Sequence, residues 1–579
     1  MSRPTRHPSS GTTKRSIRVG AAIATLSVVM VGCSDDSGSD QDGASGTGAG
    51  TDSAPEAEAE AEAEDSTASA QLNDAADAVT VAGSGEEGSG SVSVDASRAL
   101  FASAPAVVVA SAGDAAGIDE GAESAESLGV PLLLLSEPAP ATGDMASSTT
   151  EDGATSTAGD GAQSTADTAA STGDQSSATA PPSDNGNTAQ IEEITRLGAE
   201  QVLAVGEGTE SALGEVDDVD VVTGADDIED VVPASGLTST AVLVDSDGGD
   251  PTQAATATAT AAGATVVPIQ GGDLRNDAEA ITALADANPD SVVAVGPEFG
   301  DADTLTGRID VAKTGVQLPG GGQALFPGRL LVALYGTPGT PGLGVLGEQD
   351  LDASIARAKE VAADYEDLTD VPVVPTFEII ATIAQASAGA DGDYSGEIAV
   401  KELRPWVEKA GEEGVYVVLD LQPGRANFLD QAKIYEELLT YPHVGLALDP
   451  EWRLTPTQRP LQQIGQVEAD EVNTVLDWLA DLTQKEKLPQ KLVVLHQFRL
   501  TMLQDQDQID MSRDELQVLV HMDGQGSPDL KDGTWQSVVD NAREGMPFGW
   551  KNFYDEDEPM LTPEQTMEKE PTPVMISYQ

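Results

Sequence analysis

The chain has 579 residues, 29 basic and 99 acidic, for a formal net charge of −70. That imbalance argues against nucleic acid as a partner and against direct docking on anionic lipid, because few cations are present to meet phosphates. The length suits two or three domains, and a single cysteine, Cys33, excludes a disulfide framework, so apolar cores must hold the fold.

At the N-terminal end, Arg3, Arg6, Lys14, Arg15 and Arg18 precede an apolar run from Val19 to Gly32. A basic start, a short apolar run and small residues at its end make a secretion signal over 1–33. The run is too short to span a bilayer comfortably. Met30-Val31-Gly32-Cys33 resembles the lipobox of bacterial lipoproteins. The resemblance implies that the Cys33 thiol is lipidated and that cleavage makes it the new N-terminus. The protein is then expected outside the cytoplasm, held by acyl chains on the outer face of the cell membrane, in the cell wall.

Residues 34–92 read as a disordered acidic tether. No Lys or Arg lies between Arg18 and Arg98, and Ala and Glu alternate from Ala57 to Glu64. Such like-charged chain repels itself, and roughly 60 residues of it would reach about 40–45 Å or more.

Residues 93–323 contain a β-α-β-α-β unit twice. Ala106–Ser111 aligns with Ala241–Ser246, Pro131–Leu135 with Thr265–Ile269, and Gln201–Gly206 with Ser291–Gly296. The first copy is longer by about the size of a Ser/Thr/Ala/Gly/Asp-rich insert at 138–187, expected to be disordered. Continuous apolar strands alternating with helices predict parallel sheets covered on both faces. The run Leu-Gly-Val-Pro-Leu-Leu-Leu-Leu at Leu128–Leu135, with Ile191–Ala199 and Gln201–Gly206, resembles the cell wall-binding repeat 2 family. That resemblance implies a wall polymer as partner. The region carries five basic residues (Arg98, Arg196, Arg275, Arg308 and Lys313), so an anionic polymer would need divalent cations as bridges.

The five tryptophans lie beyond residue 400 and the eight tyrosines beyond residue 330, which sets a new domain at 324–579. Pro319-Gly320-Gly321-Gly322 reads as a hinge before it. About 250 residues is the usual size of a (β/α)8 barrel. Eight strands are predicted, at Arg329–Tyr335, Val371–Phe377, Val415–Asp420, Val444–Leu448, Lys491–His496, Leu516–His521, Met546–Trp550 and Pro573–Tyr578. Helical patterns separate most of them. The fold class is therefore α/β, with two parallel-sheet repeats followed by a TIM-barrel-like domain; an open doubly wound sheet is the runner-up.

The strand ends carry the chemistry. Residues i and i+2 of a strand share a face, and barrel enzymes place their sites at the C-terminal strand ends. There stand Glu378, Asp420 with Gln422, Asp449 with Glu451 and Trp452, His496, and His521 with Asp523. Stability gives no reason to gather acids and imidazoles at one mouth, whereas acid/base chemistry does.

Two chemistries fit. In the first, Glu451, Asp449, Glu378 and Asp523 supply carboxylates flanking a glycosidic bond. Trp452, Tyr335, Asp420, Gln422, His496, His521 and Trp550 would then bind substrate. Asp449-Pro450-Glu451 resembles the strand-four acidic motifs of glycoside hydrolase barrels. In the second, His496, His521 and Asp523 hold a metal that activates water. A third reading is a glycan-binding lipoprotein without catalysis. Export to the wall favours glycan chemistry. No phosphate loop, dinucleotide fingerprint or cysteine-based zinc set is present, and no cofactor is expected.

Overall fold

The computed structural model describes residues 69–73, 79–82, 91–136, 186–214, 216–228, 231–233 and 236–579. The secretion signal, Cys33, most of the tether and nearly all of the insert expected at 138–187 lie outside the described residues. No helix among the described residues is long and apolar enough to cross a membrane.

Two four-stranded parallel sheets precede the barrel. The first has the spatial order Leu132–Leu135, Ala106–Ser111, Gln201–Val205, Asp220–Val222. The second has the order Thr265–Ile269, Thr240–Asp245, Ser291–Val295, Val79–Ala82. The repeat seen in the sequence is thus a repeat of topology. The fourth strand differs: the first copy supplies its own, while the second takes Val79–Ala82 from ahead of the first copy. This corrects the tether expected over 34–92, because Val79 pairs with Val292 and Ala82 with Val295. An apolar Val-Thr-Val-Ala segment completes a sheet that otherwise has an open edge.

One core joins the two sheets. Val107, Val109 and Leu133 of the first pack with Val242, Val244 and Val293 of the second, around the helices Ser91–Leu100 and Asp250–Ala261. The edge strand Leu132–Leu135 is blunted by hydroxyls: the Leu132 N–H donates to Thr258 Oγ1 at 3.1 Å and the Leu134 N–H to Ser93 Oγ at 3.0 Å.

Beyond residue 329 the chain closes into a ring. Its eight parallel strands are Leu330–Gly336, Val373–Ala384, Tyr416–Leu421, Val444–Leu448, Lys491–His496, Leu516–Met522, Phe548–Asn552 and Met575–Tyr578. The first pairs with both the second and the eighth, so the open doubly wound sheet is ruled out. All eight predicted strands form, seven of them within two residues of their expected bounds; the second, expected over Val371–Phe377, runs on to Ala384. The long second strand runs past the ring and pairs antiparallel with Ser395–Glu397. The helix Pro563–Met567 opens on a capping box: the Gln565 N–H donates to Thr562 Oγ1, and the Thr562 N–H donates to Gln565 Oε1.

The lower half of the barrel interior is apolar, filled by Leu331, Val374, Val418, Leu492, Val494 and Leu519, and its base is plugged by Leu318 and Leu325. The expected hinge is instead a rigid turn. Gly320, Gly321 and Gly322 all have left-handed φ (+88°, +88° and +72°), which side chains other than glycine rarely adopt. Buried Arg329 ties this turn down, donating to the carbonyls of Pro319, Gly321, Ala324 and Leu325. Burial pushes its guanidinium down to about 10, so it stays charged at neutral pH. Arg329→Met would leave these carbonyls unpaired, and we expect a loss of about 3 kcal/mol or more, read from urea unfolding.

Candidate functional site

Inward-pointing side chains change character halfway up the barrel. Above the apolar layers, Tyr335, Asp420, His496 and Lys551 come from strands one, three, five and seven. Glu378, His521 and Ser577 come from strands two, six and eight, and Asp449 and Asp523 stand just beyond strands four and six. Alternate strands supplying alternate layers is the ordinary filling of this fold; here the upper layers are polar.

His496 is the centre. It has no exposed surface. Its Nε2 lies 2.8 Å from Glu378 Oε1 and its Nδ1 3.2 Å from Asp523 Oδ2. Burial works against a charged imidazole, but Glu378 and Asp523 outweigh it and hold His496 well above its usual range. Burial also works against the two acids, and the imidazolium outweighs it in turn, holding both below the usual carboxylate range. The contacts are ion pairs off the line of a good hydrogen bond, which leaves buried oxygens of Glu378 and Asp523 without hydrogen-bond partners. Such a concentration of unsatisfied polar atoms is costly in a core and is a mark of functional sites.

The remaining acids behave oppositely. Burial, then the charge of Asp420, pushes Asp449 well above its ordinary value. Burial, then the charge of Asp523, raises Glu451 to about 7. Burial raises Asp420 to about 6, and the Tyr335 hydroxyl donates to its Oδ2 at 2.9 Å. Asp449 also builds the local turn: its Oδ1 accepts from the Glu451 N–H at 3.2 Å, capping the short turn Pro450–Trp452. Proline at its first position suits that turn.

A cavity of about 390 Å³ opens above these layers. Asp449, Glu451, Trp452, Asp523, Gln422 and Tyr335 line it, together with Lys551, Phe498, Leu461 and Phe553. Six of the expected site residues therefore share one cavity. Glu378, Asp420, His496 and His521 are buried beneath it and do not line it. Burial drives His521 down to about 4, and its Nε2 sits 2.7 Å from Ser577 Oγ. A Cβ on Gly549 would come within 2.2 Å of His521 Nδ1, so the glycine makes room for this ring.

Trp550 does not belong to the site. Its indole donates to Asn552 Oδ1 at 2.8 Å and packs on Trp535, outside the strands. The inward residue of strand seven is its neighbour Lys551. Sequence reasoning also missed Phe498, Leu461, Phe553 and Ser577; for Lys551 the signal was there, a lysine two residues after the inward Gly549.

The metal set His496, His521 and Asp523 does not bring its ligand atoms within 4.8 Å of one another; His496 Nδ1 does face Asp523, but its Nε2 faces Glu378 and His521 Nε2 faces Ser577. Among the described residues the group able to chelate a metal is Asp391, Asp393 and Glu397, one ligand atom of each lying within 4.8 Å of the others. Asp391 and Asp393 sit in the loop after the second strand, and Glu397 ends its antiparallel partner Ser395–Glu397.

A larger cleft, about 590 Å³, lies at the other end of the barrel against the second repeat. Its cations are matched there: Arg308 meets Asp514 at 2.7 Å, Lys487 meets Asp310 at 3.0 Å, and Arg513 meets Asp481 at 2.8 Å. This cleft reads as the seam between lobes.

Asp449 has a raised proton affinity in the fold, so above its unfolded value, about 4, it opposes folding more with each pH unit, by up to about 1.4 kcal/mol. Asp449→Asn is therefore expected to become more stable relative to wild type as pH rises from about 4 toward 7, measured by urea unfolding across that range. No protein-family model matches this chain, and a search of curated proteins finds no match.

Proposed function

We propose that the barrel hydrolyses a glycosidic bond of a cell-surface glycan. One observation carries this reading: Glu451 and Asp523 line the same cavity, and their surroundings push their proton affinities apart. Opposed shifts of this kind separate an acid from a base. Glu451, near 7, gives its proton to the glycosidic oxygen as the C–O bond breaks. Ionised Asp523 takes a proton from water, whose oxygen bonds to the sugar carbon. His496 holds Asp523 ionised, and Glu378 holds His496 charged; both act through their neighbours. Trp452 offers a ring face for a sugar.

Glu451→Gln is expected to lower glycan turnover at least 100-fold with binding retained, and wild-type turnover should fall as pH rises through about 7, where Glu451 loses its proton. Turnover unchanged in this variant would leave a barrel that binds glycan without cutting it.

A second reading, metal-dependent hydrolysis, is favoured by the convergence of Asp391, Asp393 and Glu397. Loss of turnover on EDTA treatment, restored by a divalent cation, would select it over the carboxylate pair.

We further propose that the protein works in the envelope, anchored by lipid on Cys33 and associated with wall polymer through the two repeats. The lipobox-like Met30–Cys33 run and the strand-helix likeness at Leu128–Gly206 support this. Cys33→Ser is expected to shift the protein from the membrane fraction to the medium, read by immunoblotting of fractionated cells.

A further inference from the structure

Among the described residues, Lys551 is the one cation lining this cavity; its charge acts at a distance on Glu451, Asp523, Asp420 and Glu378, but no side chain accepts from its ammonium. It is 3% exposed, yet among the described residues its ammonium has no hydrogen bond and no carboxylate oxygen within 4.0 Å. Its Nζ lies 3.3 Å from the ring centroid of Tyr335 and 5.4 Å from that of Phe553. These faces orient a cation without neutralising it or filling its three donors. Tyr335 is itself fixed by its bond to Asp420. None of the three acids lining the same cavity reaches it: Asp523 is paired with His496, Asp449 caps the turn that carries Glu451, and no carboxylate oxygen of the three lies within 4.0 Å of Lys551 Nζ. The ammonium opens into the cavity with its donors free, where an anionic group of a ligand can meet it in an enclosed, partly aromatic setting.

We propose that Lys551 is a substrate-recognition residue whose ammonium takes an anionic group, carboxylate or phosphate, on a sugar in this cavity. The substrate is then an acidic glycan. The inference rests on the hydrolase reading for the word substrate, but its own claim is about binding. It gives a use for the inward lysine of strand seven in a cavity otherwise rich in acids. The anion is read by Lys551, while the bond to be cut meets Glu451.

The test is isothermal titration calorimetry of the full-length protein with glucose, glucuronate, the methyl ester of glucuronate and glucose 6-phosphate. Wild type is expected to bind at least one of the two anionic sugars at least ten-fold more tightly than glucose and the ester. A gain confined to glucuronate assigns a carboxylate, and one confined to the phosphate ester assigns a phosphate. Lys551→Met should erase the difference and Lys551→Arg should keep it, with thermal melting used to check that each variant folds. Equal affinity for all four sugars in wild type, which needs no variant, overturns the proposal. So does an anion preference that survives in folded Lys551→Met. Turnover is read separately through Glu451→Gln: anion preference without turnover sinks the hydrolase reading alone, and turnover without anion preference sinks this one alone.

Discussion

The imidazolium of His496, clamped between Glu378 and Asp523, is what allows so many acids to share one end of a barrel. Two buried carboxylates repel, and each loses its hydration. A single cation between them offsets both costs only if it has no other place to go. His496 meets that condition, because Tyr335 and His521 pack beside its ring at 6.2 and 5.4 Å between centroids. Removing the ring would leave two bare charges in a dry layer, the costliest kind of defect in a protein interior. The clamp holds only where both acids are ionised and the imidazole is protonated. It weakens as pH falls through the depressed values of Glu378 and Asp523, and again as pH rises through the elevated value of His496.

The clamp also sets the character of the cavity above it. Asp523 is pinned as an anion from below, and its charge is the leading electrostatic reason, after burial, that Glu451 keeps a proton near neutrality. One buried ion pair therefore differentiates two carboxylates that would otherwise titrate alike. The layering makes this possible. Residues that tune lie beneath the cavity floor, residues that can touch a ligand lie on it, and the apolar layers and Arg329-bound turn below keep the base closed.

The barrel was legible in the sequence because each of its strands is an apolar run with a polar end, and that pattern survives without any partner information. Glu451, Asp449, Asp523 and Trp452 were legible for the same reason. Trp550 was misplaced because large aromatic character was weighed above parity: Gly549 and Lys551 face inward, so Trp550 cannot. The metal set failed because residue type was readable while facing direction was not: Glu378 and Ser577 meet the two imidazoles, and the three ligand atoms do not converge. The separation of a buried tuning layer from an open contact layer depends on register between strands, which no single strand encodes. Val79–Ala82 was illegible as part of a sheet because four short residues flanked by small and acidic ones carry little signal, and their partner lies beyond a whole repeat.

That distant pairing decides how the repeats are made and how they can be taken apart. Val79–Ala82 is synthesised before the first repeat and finds its place only after Ser291–Val295 has emerged. The early strand therefore waits unpaired while everything between is translated, and closing so long a loop is slow. Neither repeat is a clean excisable unit: cutting between them strands a piece of one with the other. A workable dissection takes both together, from before Ser69, and ends ahead of Leu318, because the segment from Leu318 to Arg329 closes the base of the barrel and belongs with it.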